Sequence, residues 1–523
     1  MKFAEQLTWE SLSTRRFAGP VAVGLLSALL APGVAQGQGS PHGFWPVADS
    51  TPAHNRWQRA ETGITTKSVA TGFKFLWKIK LGGAPADSSF SEPLLFPDLI
   101  TGRGFKDLAF VADAHTLYAV DSELGQMVWQ KDFPSSAKKA CGNLQVLAEP
   151  PQVIHFGARK PGAPRPPPET PVAPTARRVG SSAGGGSYGL KGVYVLTSDG
   201  YLHEQIMATG LDYAPAVKFL PEAKGSSFAL NINDEVVYTL AESGCHNEPG
   251  AVWSIDLKTP AYTVNSYQTK KESLAGLTGP AIGADGTVYV VTGNGPDGEH
   301  PNSVVALTAK DLKVKDWYTP SGAAKTLHAG PVVFTYKGKE VVAAPGKDGG
   351  IVLLDSHSLG GADHHTPLAD SWVMSKAAKR GDWEGLATWQ DKAGVCWVFA
   401  SIDGPVAKFP GNNGPAPHGS IIAFRVEEQD GHTALAPVWI SRDLVDPAPP
   451  AIANGVVFAL DGGNASTHAT LYALDAATGK QLYSSGDAIE SDTHLAGISI
   501  GDGHVFFTTH DNTLYSFGIP LEH

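Results

Sequence analysis

The sequence predicts an all-β fold, an eight-bladed β-propeller closed by pairing of N-terminal and C-terminal strands in one blade. Three observations predict it. A turn-and-strand unit, Ala119-Val-Asp121-Ser-Glu-Leu-Gly125-Gln-Met-Val-Trp129, returns as Ala473-Leu-Asp475-Ala-Ala-Thr478-Gly479-Lys480-Gln-Leu-Tyr483, each copy after a strand-like run, Thr116-Leu-Tyr118 or Thr470-Leu-Tyr472. Such a repeat marks an architecture assembled from one supersecondary unit. Short runs of Val, Thr, Tyr and Trp recur between turn residues in a chain with 59 glycines and only 17% charged residues, and long amphipathic helices are not evident. Finally, Phe73-Lys-Phe-Leu-Trp77-Lys-Ile79 is a strand without a blade, while the stretch from His494 to Phe517 holds about three strands and lacks a fourth. Joining them removes exposed sheet edges.

Taken in order, residues 1–35 read as an export signal. Arg15-Arg16 precede an apolar, small-residue stretch from Phe17 to Ala31, and Gly33-Val34-Ala35 is an A-x-A-like end, so cleavage is expected after Ala35 and the mature chain in the periplasm or outside the cell. Thr14-Arg15-Arg16-Phe17 is loosely of twin-arginine type, and two such arginines also suit an ordinary signal. The stretch is too short and too rich in Gly and Pro for a membrane anchor, so no membrane span is expected in the mature chain. Residues 36–72 form a lead-in segment, and 73–523 the propeller.

Seven blade-sized segments centre on Leu108–Val111, Val193–Leu196, Val236–Leu240, Val288–Val291, Val341–Ala344, Cys396–Phe399 and Val456–Leu460. The blade shared by the chain ends makes eight. Within each repeat copy the Asp is placed to accept hydrogen bonds from turn amides, the Gly to take a positive φ, and the aromatic to wedge against a neighbouring sheet. Gly279-Pro280, Gly330-Pro331 and Pro449-Pro450 each precede small apolar residues suited to a crowded axis. Residues 157–187 interrupt the first spacing with seven prolines between Pro161 and Pro174, then Arg177-Arg178 and a Ser/Gly run. That composition predicts an exposed, disordered insert.

Charge and cysteine usage exclude some functions. A net charge of -11 argues against a polyanion, so no nucleic acid is expected as partner. The three cysteines, Cys141, Cys245 and Cys396, allow at most one intramolecular disulfide. No Cys-x-x-Cys-His occurs, so no covalent haem is expected.

The pattern A-x-D-x-x-T-G-K-x-x-W resembles the tryptophan-docking repeat of the quinoprotein, or PQQ-repeat, propellers. Other blades keep fragments of it: Ser254-Ile-Asp256-Leu, Ala306-Leu-Thr-Ala with Trp317, Leu353-Leu-Asp355, and Ala423-Phe with Trp439. The lead-in residues Trp45-Pro46, Asn55-Arg56-Trp57, Ile64-Thr65 and Val69 resemble the start of the quinoprotein alcohol dehydrogenases, where they pack. The resemblance implies pyrroloquinoline quinone and calcium as cofactors. Thr292-Gly293-Asn294 resembles the T-G-N motif whose Asn gives calcium an oxygen; it also reads as a plain turn. Gly346-Lys347-Asp348-Gly349 resembles the stretch carrying a basic contact to the quinone, and also reads as a hairpin with a solvated lysine. Glu248, in Gly244-Cys245-His246-Asn247-Glu248, stands near the blade where a glutamate binds calcium in that family.

The departures are as informative. Where the family places a D-x-D element with its general base, this chain has Thr326-Leu327-His328-Ala329-Gly330-Pro331, and vicinal cysteines are absent. Abstracting a proton from an alcohol needs a base within reach. Either His328 or Glu384 has taken that role, or the chemistry is gone.

Independently of the family, Glu92, His328, Glu384 and His494 each precede an expected innermost strand. They would converge on the axis as a metal or polar-ligand site, or each would hydrogen-bond its own strand start. Asp363-His364-His365 offers a weaker metal reading in a loop. Two functions follow: an exported platform for a small-molecule ligand or protein partner with a degenerate quinoprotein site, or a divergent PQQ- and calcium-dependent dehydrogenase of alcohols or sugars. The propeller subunit of the outer-membrane assembly machinery shares the repeat, but its usual lipid anchor requires an early cysteine that this N-terminus lacks.

Overall fold

Short strands with aromatic and β-branched residues, broken by turns, cannot bury themselves singly, and they assemble into eight sheets set in a ring. The computed structural model describes residues 43–520 apart from 83–89, 102–103, 134–143, 150–191, 221–227, 243–249, 271, 277, 296–297, 322–325, 328, 347–349, 372–384, 407–410, 412, 465 and 494–496. The export signal, the Pro-rich insert, Cys141 and Cys245 lie outside the described residues. Cys396 is a buried free thiol, its ionisation pushed up to about 11 by burial.

Seven blades follow one another as antiparallel sheets over 94–132, 145–218, 231–268, 274–318, 332–370, 386–440 and 451–484. In the eighth, Ser499–Gly501, His504–Thr509 and Thr513–Gly518 run outward from the axis, and Lys74–Lys80 pairs antiparallel with Thr513–Gly518 from the far end of the sequence. No helix among the described residues is long and apolar enough to cross a membrane. The main helix, Thr66–Gly72, starts at a capping box in which Thr65 and Ser68 satisfy each other's backbone amides.

The apolar core is a set of seams between blades. Leu94, Phe110 and Ala119 of blade 1 pack on Val193 and Val195 of blade 2, and Trp397 and Phe399 of blade 6 on Val457 and Leu474 of blade 7. Three of the seams are keyed by an indole. Trp77, Trp129 and Trp439 donate Nε1–H to the carbonyls of Ser122, Met207 and Ala476 in the next blade, at 3.2, 2.8 and 2.9 Å. Each ring lies on a glycine of positive φ: Gly125, Gly210 and Gly479, with φ of 64°, 70° and 70°. A Cβ there would come within 2.5, 2.6 and 2.5 Å of the indole, so the turn demands glycine for both conformation and space. Asp121 and Asp475 hold these turns by accepting amide hydrogen bonds from Leu124 at 3.0 Å and Thr478 at 2.9 Å.

Candidate functional site

Residues 43–58 line the inside of the ring and touch the innermost strand of every blade in turn. Trp45 exchanges two backbone hydrogen bonds with Leu95 of blade 1. The carbonyls of Pro46, Pro52, Ala53, Asn55 and Arg56 then accept from Ala148, Ile282, Val333, Thr388 and Ile452, at 2.7 to 3.0 Å, in blades 2, 4, 5, 6 and 7. Blade 3 joins through Asn231 Nδ2, which donates to Pro52 O at 2.9 Å, and blade 8 through Gln58 Nε2, which donates to Ile500 O at 3.1 Å. Trp57–Gln58 also pairs in parallel with Ala451–Ala453. Fitting one short segment to eight strands bends it hard: Asp49, Ser50, His54 and Arg56 have φ of 63°, 77°, 58° and 51°. Left-handed backbone at residues other than glycine costs roughly 1 kcal/mol or more each and persists only where surroundings enforce it.

That segment carries a charged cluster. Arg56, 2% exposed, pairs with Asp49 and lies 3.5 Å from Glu92 Oε2. Glu92 Oε1 accepts from Trp45 Nε1 at 2.6 Å and from the Asp49 amide at 3.0 Å. Burial pushes the Glu92 carboxyl well above its ordinary value, and Asp49 adds to the rise while Arg56 opposes it. Two carboxylates share one guanidinium, so a proton on one of them costs less than a second buried negative charge. His54 is neutral: burial, seconded by Arg56, pulls its pKa down to about 4 against the attraction of Asp49. Its Nε2 stands 3.1 Å from the Asn231 amide nitrogen and its Nδ1 3.8 Å from Asp49 Oδ2. Arg56 Nε and Nη1, Thr51 Oγ1 and His54 Nδ1 have no hydrogen-bond partner among the described residues.

A second group forms between blades 4 and 5. Gly293 donates its amide to Ser273 O at 2.8 Å and accepts from the Asn302 amide at 2.9 Å. Asn302 Oδ1 in turn accepts from Leu327 N at 2.7 Å, and Leu327 pairs with Gly346 in an isolated antiparallel bridge. Gly293, Asn302, Leu327 and Gly346 are thus linked in one network. Glu272, 1% exposed, supports it by accepting from His300 N at 3.0 Å.

No protein-family model matches the sequence, and no curated protein does. Solved structures do. A europium-containing methanol dehydrogenase overlays with a TM-score of 0.55 at 12% identity, over 91% of this chain and 98% of its own. Quinohemoprotein alcohol dehydrogenases of Pseudomonas putida HK5 and Comamonas testosteroni overlay at 0.57 and 0.54 with 14% and 13% identity, over 92% of this chain and 82% and 81% of theirs. The likeness shows the fold, an eight-bladed β-propeller.

At such identity the likeness is one of fold, and the residues must speak for the chemistry. Of the expected cofactor set, Asn294 is solvent-exposed on the loop after Val288–Thr292, while Asn302 Oδ1 on the same loop accepts from Leu327 N. His328, Lys347, Glu384, Glu248 and His494 lie outside the described residues. The axial carboxylates do not fit a calcium cage, because Asp49 and Glu92 already face a guanidinium, which a divalent cation would have to displace. Glu92, grouped from sequence with His328, Glu384 and His494, meets the lead-in segment. The residues that follow two of its supposed partners do reach this cluster: a Cβ on Gly385 would stand 3.6 Å from Arg56 Nε, and one on Gly497 would collide with the Glu92 carboxylate.

His364 and His365 do not present themselves to a common ion. His364 stacks on Trp317 with centroids 3.7 Å apart and sets Nδ1 3.1 Å from Asp316, whereas His365 Nδ1 meets Thr319 O at 2.8 Å. Sequence reasoning treated Arg56 as packing and missed Asp49, His54 and Glu272. The pairing of Arg56 with Glu92, 36 residues on, carries no local spacing; the signal available was Asp49, His54 and Arg56 close together between Trp45 and Trp57.

Proposed function

We propose that this chain is an exported PQQ-type propeller that works as a binding or assembly platform, with its quinoprotein-like site degenerate. The observation that supports it is the axial cluster. A dehydrogenase of this fold needs free oxygen ligands and a base, and the axial carboxylates are bound to Arg56, Trp45 and the Asp49 amide. Export with cleavage near Ala35 remains part of the proposal. Its test is a dye-linked oxidation screen of the mature chain, loaded with pyrroloquinoline quinone and calcium, against alcohols and sugars. No turnover above the protein-free control is expected; quinone-dependent turnover would overturn the reading.

The second reading is a divergent dehydrogenase, with His328 or Glu384 as base, Asn294 and Lys347 at the quinone, and Asn294 and Glu248 on calcium. What favours it is the network Gly293–Asn302–Leu327–Gly346, which gathers the flanks of three of those residues. On this reading bound quinone would supply the two-electron acceptor, and the chain would supply the base and the orienting contacts. Asn294→Ala and Lys347→Ala would each weaken quinone binding; binding untouched by both would remove this assignment.

A further inference from the structure

Away from the axis, the seam between blades 6 and 7 opens a cleft of about 560 Å³, within the size range of small-molecule sites. Its walls include Asn413, Pro415, Arg442, Leu474, Lys480 and Gln481. The sequence builds it from the same turn that seats Trp439. Asp475 and Gly479 fold the turn tightly, the indole fills the space beneath, and Lys480 and Gln481 are thrown outward at the head of the next strand.

Charge distinguishes this cleft. The chain carries a net charge of -11, and its lysines are mostly met by carboxylates: Lys106 by Asp121 at 2.6 Å, Lys131 by Asp212 at 2.8 Å, Lys315 by Asp285 at 2.9 Å. Arg442 and Lys480 line one cleft, are exposed, and have no ion-pair partner among the described residues. Arg442 is also oriented in advance. Its guanidinium lies over the Tyr472 ring, 4.6 Å from the centroid, and Nη1 donates to Gln481 Oε1 at 3.0 Å, which leaves Nε and Nη2 for a planar oxyanion. The cleft's one carboxylate, Asp443, is occupied by His418, whose Nδ1 stands 2.7 Å away and whose amide donates at 2.8 Å. Asn413 is held by the carbonyls of Ile440 and Thr478 at 2.9 and 3.1 Å, so the far wall is fixed as well.

We propose that the blade 6–7 cleft binds a small anion bearing a carboxylate or phosphate group, gripped by Arg442 and Lys480. Pro415 gives its body an apolar surface to rest on. The site is independent of the quinone question, because no residue of it belongs to the axis or to the blade 4–5 network.

The test is calorimetric titration of the mature chain at low ionic strength with citrate, with inorganic phosphate and with glucose as the neutral probe. Saturable binding of citrate, phosphate or both is expected, and none of glucose; the better of the two identifies the oxyanion. Lys480→Gln is expected to weaken binding about tenfold, the double change with Arg442→Gln to abolish it, and Arg442→Lys to restore part of the Arg442→Gln loss. Lys339→Gln, an exposed lysine on blade 5, is the control for general charge. The proposal is overturned if neither anion binds, if the double variant still binds while melting like the parent, or if Lys339→Gln costs as much as Lys480→Gln.

Discussion

The axis and the blade 6–7 seam are both charged, and they treat charge in opposite ways. At the axis Asp49, Arg56 and Glu92 are 2 to 7% exposed and answer one another. At the seam Arg442 and Lys480 are exposed and unanswered. Buried ions must find partners inside the chain or cost several kcal/mol each, and the axial carboxylates, held by Arg56, have little left to offer a cation. Exposed ions pay little for standing alone, and two of one sign facing a cleft remain available for recognition. Where a propeller of this fold keeps its ligand is therefore read from which charges are left over.

Arg56→Ala breaks that contrast most sharply. It strands two buried carboxylates, and destabilisation of roughly 3 to 5 kcal/mol is expected in chemical denaturation. Replacing all three charges by apolar or amide residues, Asp49→Asn with Arg56→Met and Glu92→Gln, is expected to cost far less, which separates the role of the pair from the role of the space it fills.

The pH response comes next. His54 has a folded pKa of about 4 against 6.5 unfolded, so the unfolded chain binds the extra proton between those values. Its contribution is present above pH 6.5 and is lost as pH falls toward 4, amounting to roughly 3 kcal/mol. Glu92 runs the other way: its raised carboxyl adds stability below its ordinary range and loses it as pH climbs through the folded value. The two contributions oppose each other between pH 6.5 and 4, so the parent's melting temperature is expected to have a shallow slope there and His54→Gln to tilt it toward greater stability at low pH. An unchanged slope would remove His54 from the account.

Smaller effects lie at the seams. Gly479→Ala forces a Cβ into Trp439 from a positive φ, and a loss of about 1 to 3 kcal/mol is expected by thermal denaturation. Lys480→Gln, one residue on and exposed, is expected to leave stability within about 0.5 kcal/mol and to change only anion binding.

The ring itself was legible because its determinants are local. Asp121, Gly125 and Trp129 sit within one turn and one strand, and each acts within a few residues or on the neighbouring blade. Gly330-Pro331 and Pro449-Pro450 likewise mark the starts of Val332–Tyr336 and Ala451–Ala453. The axis was not legible for the opposite reason. Glu92 was singled out, but its partners Trp45 and Asp49 lie 47 and 43 residues away on a segment with no strand pattern. The left-handed backbone at Asp49, His54 and Arg56 is imposed by eight separate strands, and propensity cannot announce it. The Arg442–Lys480 cleft escaped notice because its two cations come from two blades and only one of the two, Lys480, belongs to the repeat.

The most direct measurement is calorimetric titration of the mature chain, from Gln36 onward, with pyrroloquinoline quinone in the presence and absence of calcium. No saturable heat and no thermal stabilisation are expected from a propeller whose axial carboxylates are already held by Arg56. Micromolar or tighter binding that requires calcium, and that Asn294→Ala or Lys347→Ala weakens, would contradict this and restore the dehydrogenase.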